Sequence, residues 1–212
     1  MKILFYGDSI TDMGRNRENP DHAAFGYGVG YPNFIIGELA YNQPNTYEFV
    51  NRGISGNRIV DLYARIKADV WNHEPDLLSI LIGVNDVWHE WSGKNGVELD
   101  RFEKMYRTLI EDTKAKLPNI KLILCEPFIL KGGATNSEEG QWEHFLQVKE
   151  YAKVVRKLAQ EYGAYFVALQ DKFDEVAEKY GAENYLYDGV HPATAGAKLI
   201  ATEWLKVFKE IK

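Results

Sequence analysis

Five short apolar runs, separated by longer segments of helical period, set the strongest limit on how this chain folds. The runs are Ile3 to Tyr6, Tyr47 to Val50, Leu77 to Ile82, Leu122 to Cys125 and Tyr165 to Leu169, each bounded by turn-forming residues. Apolar residues at consecutive positions over so short a length suit strands buried on both faces, as in a parallel sheet. Between them, Leu99, Phe102, Tyr106, Leu109, Ile110, Thr113 and Leu117 share one helical face, and Pro118 stops that helix. Val148, Ala152, Val155, Ala159 and Tyr162 form a second face, with Gly163 as its C-cap. Ile200, Trp204, Val207, Phe208 and Ile211 form the last stripe, with Thr194 as the expected N-cap. Strand and helix alternate throughout, so the expected class is α/β: a three-layer α/β/α sandwich with a five-stranded parallel sheet. No repeat or composition shift divides the chain, and a single domain over residues 1–212 is expected. The one loosely composed stretch, Lys131 to Gly140, reads as a surface loop.

Composition removes several function classes. Hydrophobic residues at 45% and charged residues at 26% exclude a disordered or fibrous chain. The balance of 25 basic against 31 acidic residues, a formal charge of −6, repels phosphate backbones, so nucleic acid is not an expected partner. Cys125, the single cysteine, lies in an apolar run and reads as a small buried hydrophobe, compatible with a reducing compartment. The start MKILFYGDS holds too short an apolar stretch for a signal peptide, and no run approaches the roughly 18 residues of a membrane span. A cytoplasmic location without a membrane partner is expected.

In an open parallel sheet, ligands bind beyond the carboxyl ends of the strands, so the residues just after each run carry the information. Those segments are Gly7-Asp8-Ser9-Ile10-Thr11-Asp12, Asn51-Arg52-Gly53-Ile54-Ser55-Gly56-Asn57, Gly83-Val84-Asn85-Asp86 and Asp188-Gly189-Val190-His191-Pro192. Ser9, where a strand hands over to a helix, suits a nucleophile, but a serine hydroxyl needs a positioned base. Of the five histidines, only His191 has an acidic residue three positions before it in a glycine-containing turn. Asp188 can therefore fix its tautomer, while Pro192 keeps it out of the following helix. Three donors are available for an oxyanion: the backbone N–H groups of Ser9 and Gly56, with close approach allowed by the glycine, and the side-chain amide of Asn85.

These blocks, in order, resemble the SGNH hydrolases, also called GDSL-type esterases, along the whole chain. The resemblance implies a flavodoxin-like sandwich, Ser9 as nucleophile, His191 as base, Asp188 as its partner, and Ser9, Gly56 and Asn85 as the oxyanion hole. No cofactor and no metal is implied. The strings GDSITDMGR, NRGISGN and GVNDVW are similar to bacterial acetylxylan esterases within that family, which implies an acylated carbohydrate substrate, acetylated xylooligosaccharides in particular, and a homo-oligomer.

Neighbouring residues allow blander readings. Asp8, Asp12 and Asp86, short carboxylates beside glycine or serine, read as supports that bind local backbone N–H groups. Gly53 reads as a turn residue. Trp88, Trp91 and Tyr187 are candidates for stacking on a sugar ring, as is Tyr185, against ordinary packing. Trp142 and Phe145 read as an association patch rather than core, and Arg15 either lines a substrate channel or pairs with a carboxylate. The competing functions are a short-chain or lysophospholipid esterase, a metal-dependent phosphoesterase using Asp8, Asp12, Asn85, Asp86 and His191, and a sugar-binding module without turnover.

Overall fold

The computed structural model describes residues 1–20, 22 and 25–211. Its strands are β1 (Lys2–Gly7), β2 (Glu48–Gly53), β3 (Leu77–Leu81), β4 (Lys121–Cys125) and β5 (Tyr165–Val167). All pair in parallel, in the order β2-β1-β3-β4-β5. The expected α/β sandwich with a five-stranded parallel sheet is what the chain adopts. Strand bounds differ from the apolar runs by more than one residue in two places. The second strand runs on through Asn51, Arg52 and Gly53, because pairing with β1 continues to the Gly7 and Gly53 register. The fifth strand stops at Val167, two residues short of the apolar run, because the backbone N–H groups of Leu169 and Gln170 turn to the Glu126 carboxylate.

The helices are α1 (Ser9–Asp12), α2 (Tyr31–Asn42), α3 (Ile59–Asp69), α4 (Val84–Gly93), α5 (Leu99–Lys116), α6 (Gln141–Phe145), α7 (Val148–Tyr162), α8 (Gln170–Tyr180) and α9 (Thr194–Phe208). Helix α5 ends just before Pro118, and Gly163 caps α7 with φ +63°, as the pattern predicts. Thr194 is not the cap of α9: the cap is Ala193 in extended backbone, and Thr194 is the first helical residue. Helices α2 and α9 pack together, and α3, α5 and α7 pack in series. Between α2, α9 and the sheet, the buried rings of Tyr31, Trp204 and Phe5 meet, and the indole N–H of Trp204 donates to Ser79 Oγ at 2.9 Å. A large apolar ring is thus buried without leaving its donor unsatisfied.

The topology places the site. From β1 the chain goes outward to β2 and then crosses back to β3, so the connections leaving β1 and β3 diverge between adjacent strands. A crevice opens at such a switch point, beyond the carboxyl ends of the strands. Ser9 follows β1 there, and Asn85 follows β3.

Candidate active site

Gly7 ends β1 because nothing larger fits: a Cβ there would lie 2.4 Å from both the Leu81 carbonyl and Thr11 Oγ1. The chain then turns into the single-turn helix α1, and the Asp8 carboxylate caps it by accepting the Ile10 N–H at 2.9 Å. Asp8 is 1% exposed. Burial pushes its carboxyl up to about 7, partly offset by the Ile10 N–H and by His191.

His191 reaches Ser9 from the far end of the chain. Its Nε2 lies 2.8 Å from Ser9 Oγ, and its Nδ1 lies 2.6 Å from Asp188 Oδ2. Asp188 Oδ1 also accepts the backbone N–H groups of Val190 at 2.9 Å and His191 at 2.7 Å, so one carboxylate holds both the turn and the ring. Burial alone would raise the Asp188 carboxyl; the bonds from the His191 ring and from the two backbone N–H groups outweigh it, and the net shift is downward. The Asp188 bond raises His191 above its ordinary value, against a smaller opposing effect of burial.

The turn that carries this pair is braced by Leu130 and by the first residues of the loop from Lys131 to Gly140. Gly189 has φ +97°, and a Cβ there would lie 2.6 Å from the Leu130 carbonyl and from Thr135 Oγ1. The Leu130 and Ala134 N–H groups donate to the Gly189 and Asp188 carbonyls at 2.8 Å. Thr135, fully buried, closes the brace by donating to the Leu130 carbonyl. Within that stretch Gly132, Ala134 and Thr135 pack on the Asp188 to His191 turn, while residues 136–140 are exposed, as a surface loop predicts. The only sequence signal was a buried-size threonine among glycines.

A third segment, residues 51–58, is fastened to the first. Asn51 donates to the Thr11 and Tyr27 carbonyls, and Asp12 accepts the Ser55 N–H at 3.1 Å. Gly53 is the last residue of β2 rather than a turn, and its missing side chain lets the Thr11 and Asp12 backbone approach. Gly56 has φ +83° with open space where a Cβ would stand, so within the protein the glycine is needed for its left-handed backbone. Arg65 ties the edge together: its guanidinium donates to the Gly7 and Arg52 carbonyls, to Asn57 Oδ1 and to Asp69, and sits over the Tyr6 ring.

Asn85 opens helix α4 and donates through Nδ2 to the Asn57 carbonyl at 3.0 Å. Asp86, next to it, accepts the Ile59 N–H at 3.0 Å, and burial pushes its carboxyl up to about 8. The backbone N–H groups of Ser9 and Gly56 donate to no protein acceptor among the described residues. Ser9, Gly56 and Asn85 border one pocket of about 220 Å³, together with Trp88, His89, Ser92 and His191. A second pocket, about 550 Å³, opens on the other side of Ser9 and His191 and is bordered by Arg15, Arg17, Val29 and Tyr187. A separate pocket of about 510 Å³ between α2 and α9 shares no residue with the site.

The aromatic candidates divide. Tyr187, 58% exposed, stacks on the His191 ring with centroids 5.8 Å apart. Trp88 lies 5.9 Å from that ring and edge-on to Phe145. Trp91 instead lies against His144 and borders neither pocket around Ser9, while Tyr185 faces Tyr180. Phe145 is fully buried core, and Trp142 is half-buried with the Lys131 amine over its ring, so this pair is no exposed patch. Asp8, Asp12 and Asp86 hold backbone N–H groups, as read from the sequence, and among the described residues no three His, Cys, Asp or Glu side chains are arranged to hold a metal ion.

A serine hydroxyl on a histidine nitrogen, the other nitrogen on a carboxylate, and unspent N–H groups beside the serine can together carry out acyl transfer. The profile of the GDSL-like lipase/acylhydrolase family matches residues 5–199. The chain belongs to this family. As a GDSL-type enzyme it is a carboxylic ester hydrolase, and it is 36% identical over 210 residues to an acetylxylan esterase of Geobacillus stearothermophilus, covering 97% of this chain and 92% of that one. The crystal structure of that esterase matches this GDSL-type fold with a TM-score of 0.86 at 35% identity, over 97% and 93% of the two chains. A protein of Parabacteroides merdae described as a GDSL-like lipase matches with a TM-score of 0.92 at 38% identity, over 98% and 95%. Structures of the Geobacillus esterase include catalytic mutants at a serine, an aspartate and a histidine. Among the described residues, no helix is long and apolar enough to cross a membrane.

Proposed function

We propose that this GDSL-type esterase removes acetyl groups from carbohydrate esters, with xylooligosaccharides as the preferred class, through an acyl-enzyme on Ser9. The observation that carries the reading is the unbroken line from Ser9 Oγ through His191 to Asp188, at 2.8 and 2.6 Å, beside unspent N–H donors. His191 Nε2 takes the Ser9 proton as Oγ attacks the acetyl carbonyl, and Asp188 keeps the other ring proton on Nδ1. The oxyanion receives the N–H groups of Ser9 and Gly56 and the Asn85 amide. His191 returns its proton to the departing sugar hydroxyl, then activates a water that releases acetate and restores Ser9.

The similarity to the Geobacillus acetylxylan esterase supports the carbohydrate class, as does the Tyr187 ring at the mouth of the larger pocket. The two pockets suit two unequal groups, the acyl group in the smaller and a pyranose in the larger. The deciding experiment measures acetate released from acetylated xylooligosaccharides by the wild type and by Ser9→Ala. Turnover by the wild type alone supports the reading; equal release by both overturns it.

A further inference from the structure

The larger pocket beside Ser9 carries more positive charge than a neutral sugar needs. Its fixed charges are Arg15, Arg17 and Asp12. Asp12 is already spent: Oδ2 accepts from the Arg17 guanidinium and the Ser55 N–H, and Oδ1 accepts the Arg15 backbone N–H at 3.2 Å. Arg17 is therefore paired. Arg15 is not.

Arg15 is only 8% exposed, yet no carboxylate stands within ion-pair distance of its guanidinium among the described residues. Its Nε donates to the Gly53 carbonyl at 2.6 Å, and neither terminal nitrogen donates to any described residue. Those nitrogens are not sealed in the interior, since the buried side-chain atoms without a partner are Asp86 Oδ2 and Tyr106 OH. Taking a cation out of water is costly, and burial pulls the Arg15 pKa down, with Asp12 and Asp69 opposing from beyond ion-pair distance and Arg52 and Arg17 reinforcing. The Gly53 bond fixes Nε and so holds the plane of the guanidinium, and Arg15 borders the pocket that holds Ser9 with its terminal N–H groups unspent. That fork matches the two oxygens of a carboxylate better than any neutral hydroxyl. The chain as a whole carries −6, so attraction of an anion here is local and owes nothing to the net field.

We propose that the larger pocket recognises a carboxylate on the carbohydrate, so that the preferred substrate is an acetylated oligosaccharide carrying a uronate, held by the terminal nitrogens of Arg15. This rests on the carbohydrate deacetylase reading above. Its test is a binding measurement that needs no turnover, so the two fail separately. Ser9→Ala protein is titrated calorimetrically with neutral xylotriose, with xylotriose bearing a glucuronate, and with a sugar phosphate of similar size. The expected result is that the uronate-bearing sugar binds about tenfold or more tightly than the neutral one, with the difference shrinking as salt rises. Arg15→Gln in the same background is expected to abolish that preference, and Arg15→Lys to keep only part of it, since an ammonium offers no planar fork. Equal affinity for neutral and uronate-bearing sugars overturns the proposal, as does a preference that survives Arg15→Gln. Tighter binding of the phosphate overturns the carboxylate assignment. If Arg15→Gln does not fold once Gly53 loses its donor, the comparison among the three ligands decides by itself.

Discussion

The Asn85 amide spends one N–H on the Asn57 carbonyl, at 3.0 Å, and this single bond joins the start of α4 to the segment that carries Gly56. Two of the proposed oxyanion donors are therefore fixed relative to each other before substrate arrives, which is what makes such donors effective. Asn85→Ala removes one donor and loosens the other, so kcat is expected to fall by about 10² to 10³ with little change in KM. Steady-state kinetics on an acetyl ester checks this. Weakened binding at an unchanged kcat would make Asn85 a ground-state contact.

Ser9→Ala is expected to remove ester hydrolysis and leave thermal stability nearly unchanged, because the hydroxyl bonds only to His191 and adds little packing. An organophosphonate is expected to label Ser9 in the wild type and to leave the variant unmodified, as read by intact-protein mass. Labelling of another residue would falsify the acyl-enzyme route.

His191 acts as a base only when neutral, and the Asp188 bond raises its pKa above 6.5. The acid limb of kcat/KM is thus expected above 6.5, higher than an unperturbed histidine would give. Asp8, pushed up to about 7 and acting on His191, ionises over the same range and broadens that limb. The linkage to stability has the opposite sense: the protonated His191 pair stabilises the fold below about 6.5, and that contribution disappears as pH rises through the raised value. Asp188→Asn is expected to move the limb down and, on the serine-protease precedent, to cut kcat by up to about 10⁴. A loss under about tenfold would remove Asp188 from this role.

Acyl length separates a deacetylase from a lipase. Each CH₂ buried in an acyl pocket contributes about 0.8 kcal/mol, so a lipase improves along the series from acetyl to octanoyl. On the deacetylase reading, which the similarity to an acetylxylan esterase supports, this enzyme is expected to gain nothing along the series and to lose efficiency beyond acetyl. Efficiency rising to octanoyl would sink the carbohydrate reading and leave the serine esterase standing.

Two glycines with positive φ make a paired test of the site's framework. Gly56→Ala has open space around its Cβ and is expected to cost about 1 to 2 kcal/mol from backbone strain alone. Gly189→Ala meets the Leu130 carbonyl and Thr135 as well, adding roughly 1 to 3 kcal/mol of overpacking, and displaces the Asp188 and His191 turn. Denaturant melts should rank Gly189→Ala the less stable of the two. The reverse order would mean that the 130–135 segment yields easily and braces nothing.

Local chemistry made much of this protein legible in its sequence. Apolar runs of strand length and stripes of helical period gave the layers, since burial of a strand or helix face depends on residues close in the chain. The spacing of Asp188, Gly189 and His191 made their shared turn legible, because a three-residue reach is decided locally. Asp8, Asp12 and Asp86 were legible as backbone supports for the same reason. Tertiary structure alone decided which segments meet. Ser9 and His191 touch across 182 positions, Arg65 gathers the Gly7 and Arg52 carbonyls at two strand ends, and the 130–135 segment packs under Asp188. The core status of Phe145, the exclusion of Trp91 from the pockets around Ser9 and the unpaired charge of Arg15 were settled in the same way. Each depends on what lies opposite a side chain in space, and periodicity and composition hold no record of that.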